Sequence, residues 1–290
     1  SRVYGAANPA LTATITGYVN SDTSAAISGA ASVTTAATTT STVGDYAITA
    51  AAGTLSATNY DFSFTAGTLT VSKAALTVTA EAKSRTYGDA NPTLTATISG
   101  YVNSESSSVV SGTPVLSTAA TATSSVGGYA ITAALGTLSA TNYSFSFTSA
   151  TLTVGKAPLT VTADAKTKLY GAANPALTAT ITGFKNSETI AVLTGTVALS
   201  TVATTASGVA SYAITATLGT LASGNYSFGF VDGALAVTKA PLTVTADAKS
   251  RAYGVAEPTF TATLTGFVNG ETLATSGVSG TAAVSTTATL

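Results

Sequence analysis

Leu159-Thr160-Val161-Thr162-Ala163 alternates apolar and polar side chains, the pattern of a strand with one face in a core and the other in water. Leu177-Thr178-Ala179-Thr180-Ile181-Thr182 alternates in the same way. Between them, Tyr170-Gly171-Ala172-Ala173-Asn174-Pro175 carries turn-forming Gly, Asn and Pro. Further along, Thr196-Val197-Ala198-Leu199 and Tyr212-Ala213-Ile214-Thr215-Ala216 read as strands. Tyr226-Ser227-Phe228-Gly229-Phe230 places three aromatics on one face at period two, and Asp232-Gly233 reads as a hairpin-like turn into Ala234-Leu235-Ala236-Val237. The one helix-like stretch is Asn186 to Leu193, with Asn186 placed to cap a single turn and Glu188 near its positive end. No second helix is present for a βαβ crossover, which excludes a parallel α/β sheet. Six or seven short alternating strands predict an all-β module, an antiparallel β-sandwich of Ig-like architecture. A β-grasp module, with Asn186 to Leu193 as the grasped helix, is the alternative. The predicted core is Leu159, Val161, Tyr170, Leu177, Ile181, Phe184, Leu193, Ile214, Leu221, Tyr226, Phe228, Phe230, Leu235 and Val237.

The same module recurs. Tyr4-Gly5-Ala6-Ala7-Asn8-Pro9 returns as Tyr87-Gly88-Asp89-Ala90-Asn91-Pro92, as Tyr170 to Pro175, and as Tyr253-Gly254-Val255-Ala256-Glu257-Pro258, each 83 residues after the last. Tyr46, Tyr129 and Tyr212 keep that step, as do Tyr60, Tyr143 and Tyr226, and Lys73, Lys156 and Lys239. The chain parses into a partial module at 1–73 lacking its first strand, complete modules at 74–156 and 157–239, and a partial module at 240–290. The natural protein is expected to continue in both directions. The linker around Val154-Gly155-Lys156-Ala157-Pro158-Leu159 leaves little freedom between neighbours. An elongated array in which the last strand of one module feeds the first of the next is therefore expected. Pro158 and Pro241, which lack a backbone donor, suit such a junction.

Composition narrows the chemistry. Charged residues are 8% of the chain against about 25% in ordinary soluble domains, so Thr, Ser, Asn and Gly must supply the polar surface. At a net charge of −1 there is no basic patch to grip nucleic acid, and no apolar run is long enough to span a bilayer in this fragment. Cys and His are absent, which removes disulfides, thiolate chemistry, the usual general base and the commonest metal ligand. Paired acids recur as Glu81 with Glu105, Asp164 with Glu188, and Asp247 with Glu271, while the first copy has only Asp22 at the second position. Such pairs cleave glycosides only inside a pocket. Flanking turns as they do, these read as solvated surface. Lys156 and Lys239 after the last strand, and Asn142 and Asn225 before the aromatic strand, lack the nearby buried acid of an isopeptide cross-link and read as solvated junction residues. The expectation is no catalytic, cofactor-binding or metal site, no cofactor, and no enzyme.

The motifs Leu159-Thr-Val-Thr-Ala-Asp-Ala-Lys, Tyr170-Gly-Ala-Ala-Asn-Pro-Ala-Leu, Asn186-Ser-Glu-Thr, Tyr212-Ala-Ile-Thr and Asn225-Tyr226 resemble the MBG domain of the YGX type. The likeness spans the whole chain. It implies an extracellular protein of the bacterial cell surface, as in filamentous-haemagglutinin-like adhesins. The expected role is a structural stalk or spacer that projects or supports an adhesive region, with neighbouring modules of the same chain as partners. Multivalent glycan- or protein-binding repeats, and a filament or matrix subunit whose chains associate laterally, are the alternatives.

Overall fold

The computed structural model describes residues 1–289. Its contacts divide into two compact units, Ser1–Gly155 and Lys156–Leu290. In the first unit, β1 (Arg2–Val3), β2 (Ser32–Thr35), β3 (Gly44–Ala51) and β4 (Gly67–Ser72) are followed by β5 (Ala74–Ala80), β6 (Lys83–Thr86), β7 (Ala96–Ser99), β8 (Val115–Thr118), β9 (Gly127–Ala134), β10 (Tyr143–Thr148) and β11 (Ala150–Gly155). The second unit holds β12 (Ala157–Ala163), β13 (Lys166–Leu169), β14 (Ala179–Thr182), β15 (Ala198–Ser200), β16 (Ser211–Thr217), β17 (Tyr226–Val231), β18 (Gly233–Thr238), β19 (Thr243–Ala246) and β20 (Ala262–Thr265). The molecule is an all-β array of repeated modules.

Residues 74–156 show the complete pattern: a three-stranded sheet ordered β10-β5-β7 faces a four-stranded sheet ordered β6-β11-β9-β8. Residues 157–239 repeat it as β14-β12-β17 and β13-β18-β16-β15. The hairpin ladders are antiparallel, but β10 runs parallel to β5 and β11 parallel to β6. The expected antiparallel sandwich is thus a mixed one, because the first and last strands of a module lie side by side. Ala74 faces Tyr143 and Lys83 faces Leu152, an offset of 69 in each sheet. The same offset pairs Ala157 with Tyr226 and Lys166 with Leu235. Both strands cross together from one sheet to the other. Asp232-Gly233 is accordingly not a hairpin: β17 and β18 lie in different sheets, and the Asp232 carboxylate accepts the Ala216 N–H at 3.1 Å beside the crossing.

Lys166–Leu169 forms a strand although its Lys-Thr-Lys-Leu sequence lacks apolar alternation; the parallel ladder to β18 holds it. Pro158 lies inside β12, the central strand, rather than in a linker. Its missing donor removes nothing: Ala157 N–H is spent on Asn225 on one side, and pairing with β14 on the other begins only at Thr160. The grasped helix of the alternative fold is absent among the described residues, where the helical segments are single 3-10 turns at Ser24–Ala26, Ser107–Val109 and Ile190–Val192. Asn186 and Ser187 occupy left-handed backbone at φ 53° and 59° instead of capping, and Thr189 caps the turn, its Oγ1 accepting the Ala191 N–H.

Of the predicted core, Leu159, Val161, Ile214, Leu221, Tyr226, Leu235 and Val237 are buried. Tyr170, Leu177, Ile181, Phe184, Leu193, Phe228 and Phe230 are half-buried at its margins. Apolar packing of residues 74–156 has two centres. Ala80, Ile131 and Leu152 lie between the sheets of residues 74–156, whereas Leu76 and Tyr143 pack with Tyr4 and Val71 of the preceding module.

Candidate functional site: the joint between successive repeats

The second of these centres is built from the recurrent Tyr-Gly motif. Arg2 is buried behind the turn, and its guanidinium donates to the carbonyls of Val3, Ala6 and Thr38. Asn8 Nδ2 donates to Ala37 O at 2.6 Å. In the third module Lys168 replaces the arginine, donating to Ala172 O at 3.1 Å and Thr204 O at 2.5 Å, while Asn174 binds Ala203 O at 2.6 Å. These bonds clamp the turn to its own module and aim the tyrosine outward.

Tyr4 therefore buries its ring against the next module. Its hydroxyl donates to Glu105 Oε1 at 2.7 Å, and Glu105 Oε2 accepts the hydroxyl of Tyr143. One carboxylate thus holds phenols from two successive modules, with charge-assisted bonds stronger than neutral ones. The Tyr4 and Tyr143 rings meet edge to face at 5.6 Å, and Tyr101 approaches Tyr143 at 6.1 Å, the geometry that aromatic quadrupoles favour. Val102 N–H donates to the Tyr143 oxygen at 3.1 Å. Burial, and then the bond to Glu105, push the Tyr143 phenol up to about 12.

Gly5 lies at φ +83°, and a methyl group there would stand 2.4 Å from Val102 Cγ2. The glycine is required both by left-handed backbone and by the closeness of the next module. Asn103, itself at φ 54°, donates to Thr39 O at 3.2 Å, and Asn142 Oδ1 accepts the Val43 N–H at 3.1 Å. Within the second unit the joint recurs: Tyr170 donates to Glu271 Oε1 at 2.7 Å, Asn269 to Thr205 O at 3.2 Å, and a methyl group on Gly171 would stand 2.5 Å from Val268.

The predicted acid pairs are not pairs in space. Glu105 and Glu271 serve the joints, and Glu188 Oε2 accepts the Tyr226 hydroxyl at 2.5 Å. Their sequence partners bond elsewhere. Thr95 and then Lys83 hold Glu81 below the usual carboxylate range, Thr178 and Thr180 do so for Asp164, and Thr261 and Thr263 for Asp247. The reading of these acids as merely solvated is thus corrected: each is committed to hydroxyl donors. The junction lysines are likewise committed, Lys73 Nζ to Ala140 O at 3.1 Å and Lys156 Nζ to Ser223 O at 2.9 Å. Among the described residues, no three acids gather as they would around a metal ion, and no helix is long and apolar enough to cross a membrane. Sequence reading missed the Tyr–Glu joint, whose signal was present: tyrosine, glycine and the acid all keep the period of 83.

The family model for the MBG domain (YGX type) matches residues 1–70, 76–153, 159–236 and 242–289. The chain belongs to the MBG domain family. Comparison with curated proteins gives no match. MBG repeats form a non-enzymatic repeat family, typical of extracellular surface proteins. In this chain the Tyr-Gly of the YGX motif supplies the inter-repeat joint.

Proposed function

We propose that these MBG repeats form the structural stalk or spacer of a bacterial cell-surface adhesin, projecting or supporting an adhesive region, and that the chain catalyses nothing. The observation that carries this reading is the Tyr–Glu joint. The groups best suited to bind or react with a ligand, the phenols of Tyr4 and Tyr170 and the carboxylates of Glu105 and Glu271, are spent on holding one repeat to the next. The test is a glycan array probed with the 290-residue chain. Absence of binding above a scrambled-protein control supports the spacer. Saturable binding to one glycan class overturns it in favour of repeats that gain avidity through number.

A further inference from the structure

In each complete repeat the opening and closing strands lie side by side as one seam. Six register pairs, from Ala74 with Tyr143 to Thr79 with Thr148, join β5 to β10 in one sheet. Four more, from Lys83 with Leu152 to Thr86 with Gly155, join β6 to β11 in the other. All of them are parallel. Residues 157–239 repeat the seam, from Ala157 with Tyr226 to Thr162 with Val231, and from Lys166 with Leu235 to Leu169 with Thr238. Backbone bonds bracket it: Ala74 N–H donates to Asn142 O at 3.0 Å, and Tyr87 N–H to Gly155 O at 2.8 Å. Hydroxyls cross it as well. Ser144 Oγ donates to Ala74 O at 3.3 Å and Ser146 Oγ to Leu76 O at 3.2 Å, while in the next repeat Thr238 Oγ1 donates to Lys168 O at 3.2 Å.

Strand direction decides how a pull along the chain is met. The chain enters the repeat at Ala74, the start of the first parallel ladder, and leaves at Gly155, the end of the second. Tension therefore draws β5 backward and β11 forward. Were the terminal strands antiparallel, the two loaded ends would lie together, and the ladder would open one bond at a time. In parallel strands the loaded ends are opposite, so the strands must slide past each other. Sliding strains all the bonds of a ladder at once, and hydrogen bonds weaken steeply when stretched or misaligned, so they fail as one step. Water cannot replace them singly, because Leu76 and Val78 of one ladder and Leu152 and Val154 of the other are sealed from solvent. The β8–β9 hairpin is the contrast within the same repeat: it is antiparallel, with Val115 opposite Ala134 at its open end.

We propose that the paired terminal strands are a tension clamp, through which each complete repeat carries pulling force along the chain without unfolding. The clamp acts on rate: forced unfolding is governed by the unfolding rate rather than by equilibrium stability. Only Lys156 separates the last strand of one clamp, β11, from the first strand of the next, β12, so tension reaches each clamp with no slack chain to take up first. The proposal rests on the spacer reading only for the source of the load. The two fail separately, because a mechanically weak repeat leaves the glycan-array result as it stands.

Single-molecule stretching of the 290-residue chain tests this. The chain has no cysteine, so introduced pairs define where it is held. Lys73→Cys with Lys156→Cys, at exposed positions, loads the seam of residues 74–155 lengthwise. Val115→Cys with Ala134→Cys, also exposed, peels the β8–β9 hairpin. At one loading rate the first pair should rupture at several-fold the force of the second. Adding Ser144→Ala and Ser146→Ala should lower the seam force and leave the hairpin force unchanged. The wild-type chain, held by tags at its two ends, needs no substitution and should show a high-force rupture for each complete repeat. Seam rupture at or below the hairpin force overturns the proposal, as does a wild-type chain that extends without those ruptures. An unchanged seam force in the double-alanine chain places the barrier elsewhere and overturns it too.

Discussion

The repeats at 74–156 and 1–73 have nearly the same residues at the same spacing, yet only the first of these completes both sheets. In residues 74–156, β5 unites β7 and β10 into a sheet, and Leu76 and Val78 are sealed beneath it. In residues 1–73 the four-stranded sheet β1-β4-β3-β2 forms, while Ala13–Thr16 and Tyr60–Phe64 remain outside any ladder. The difference lies in one seven-residue strand. It shows that the three-stranded sheet depends on its central member, whereas the four-stranded sheet is supported by its own hairpins. A strand bonded on both edges organises its neighbours, and no local propensity in Tyr60–Phe64 replaces it.

Paired substitutions sharpen the contrast. The largest effect is expected from Leu76→Ala, which should cost about 2–5 kcal/mol, the range for emptying a buried aliphatic site. Val244→Ala, in an exposed copy of the same strand, should stay within roughly 0.5 kcal/mol. Denaturant melts of the two variants read both, and equal costs would mean that β5 does not organise its sheet. Next comes Gly5→Ala. Left-handed backbone alone costs about 1–2 kcal/mol for a non-glycine residue. Gly254, at φ +81° with no neighbour within 4 Å, should show only that cost on conversion to alanine. Gly5→Ala should exceed it, because the new methyl group meets Val102, and the excess measures the joint.

Glu105→Gln comes third. Losing charge-assisted acceptance from two phenols should destabilise the first unit by about 1–3 kcal/mol. Ultraviolet titration should find Tyr143 lower than about 12 yet still above the ordinary phenol value, since burial is the larger cause. The pH dependence follows from the sign of that shift. The phenol of the unfolded chain, near its ordinary value of about 10, ionises before the folded one. Its contribution is complete below that pH and is lost as pH rises toward 12. A wild-type stability that stays level through this window would contradict the buried Tyr143–Glu105 bond. The smallest effect belongs to Asp164. Thr178 and Thr180 hold its carboxyl below 3.8, so its contribution is present above that value and fades as pH falls through the lowered one. Thr178→Val should raise the Asp164 midpoint in a carboxyl-resolved NMR titration, and an unchanged midpoint would sever that link.

Much of the fold was legible because period-two alternation is a local signal. Leu159–Ala163, Tyr212–Ala216 and Tyr226–Phe230 all lie in strands as their patterns predict. Lys166–Leu169 was not legible, since a parallel ladder to residues 69 positions away holds it rather than any alternation of its own. The site was half legible. The period of 83 marked Tyr4, Gly5 and Glu105 as fixed features, but Tyr170 was assigned to its own module's core and Glu105 to solvent. Nothing in a run of neighbours states that a tyrosine will meet an acid 101 residues later.

By itself, the amino-acid sequence determined the all-β class, the repeat and its register, the absence of thiol and imidazole chemistry, and a low-charge surface rich in threonine. All of these follow from residue type and spacing. Tertiary structure alone decided that the first and last strands of a module run parallel and change sheets together. It also decided that Tyr4 reaches out of its own module, and that one carboxylate serves phenols from two modules. The physical reason is that these features rest on long-range pairing and mutual burial, and a strand pattern records which face is apolar but not which partner will cover it.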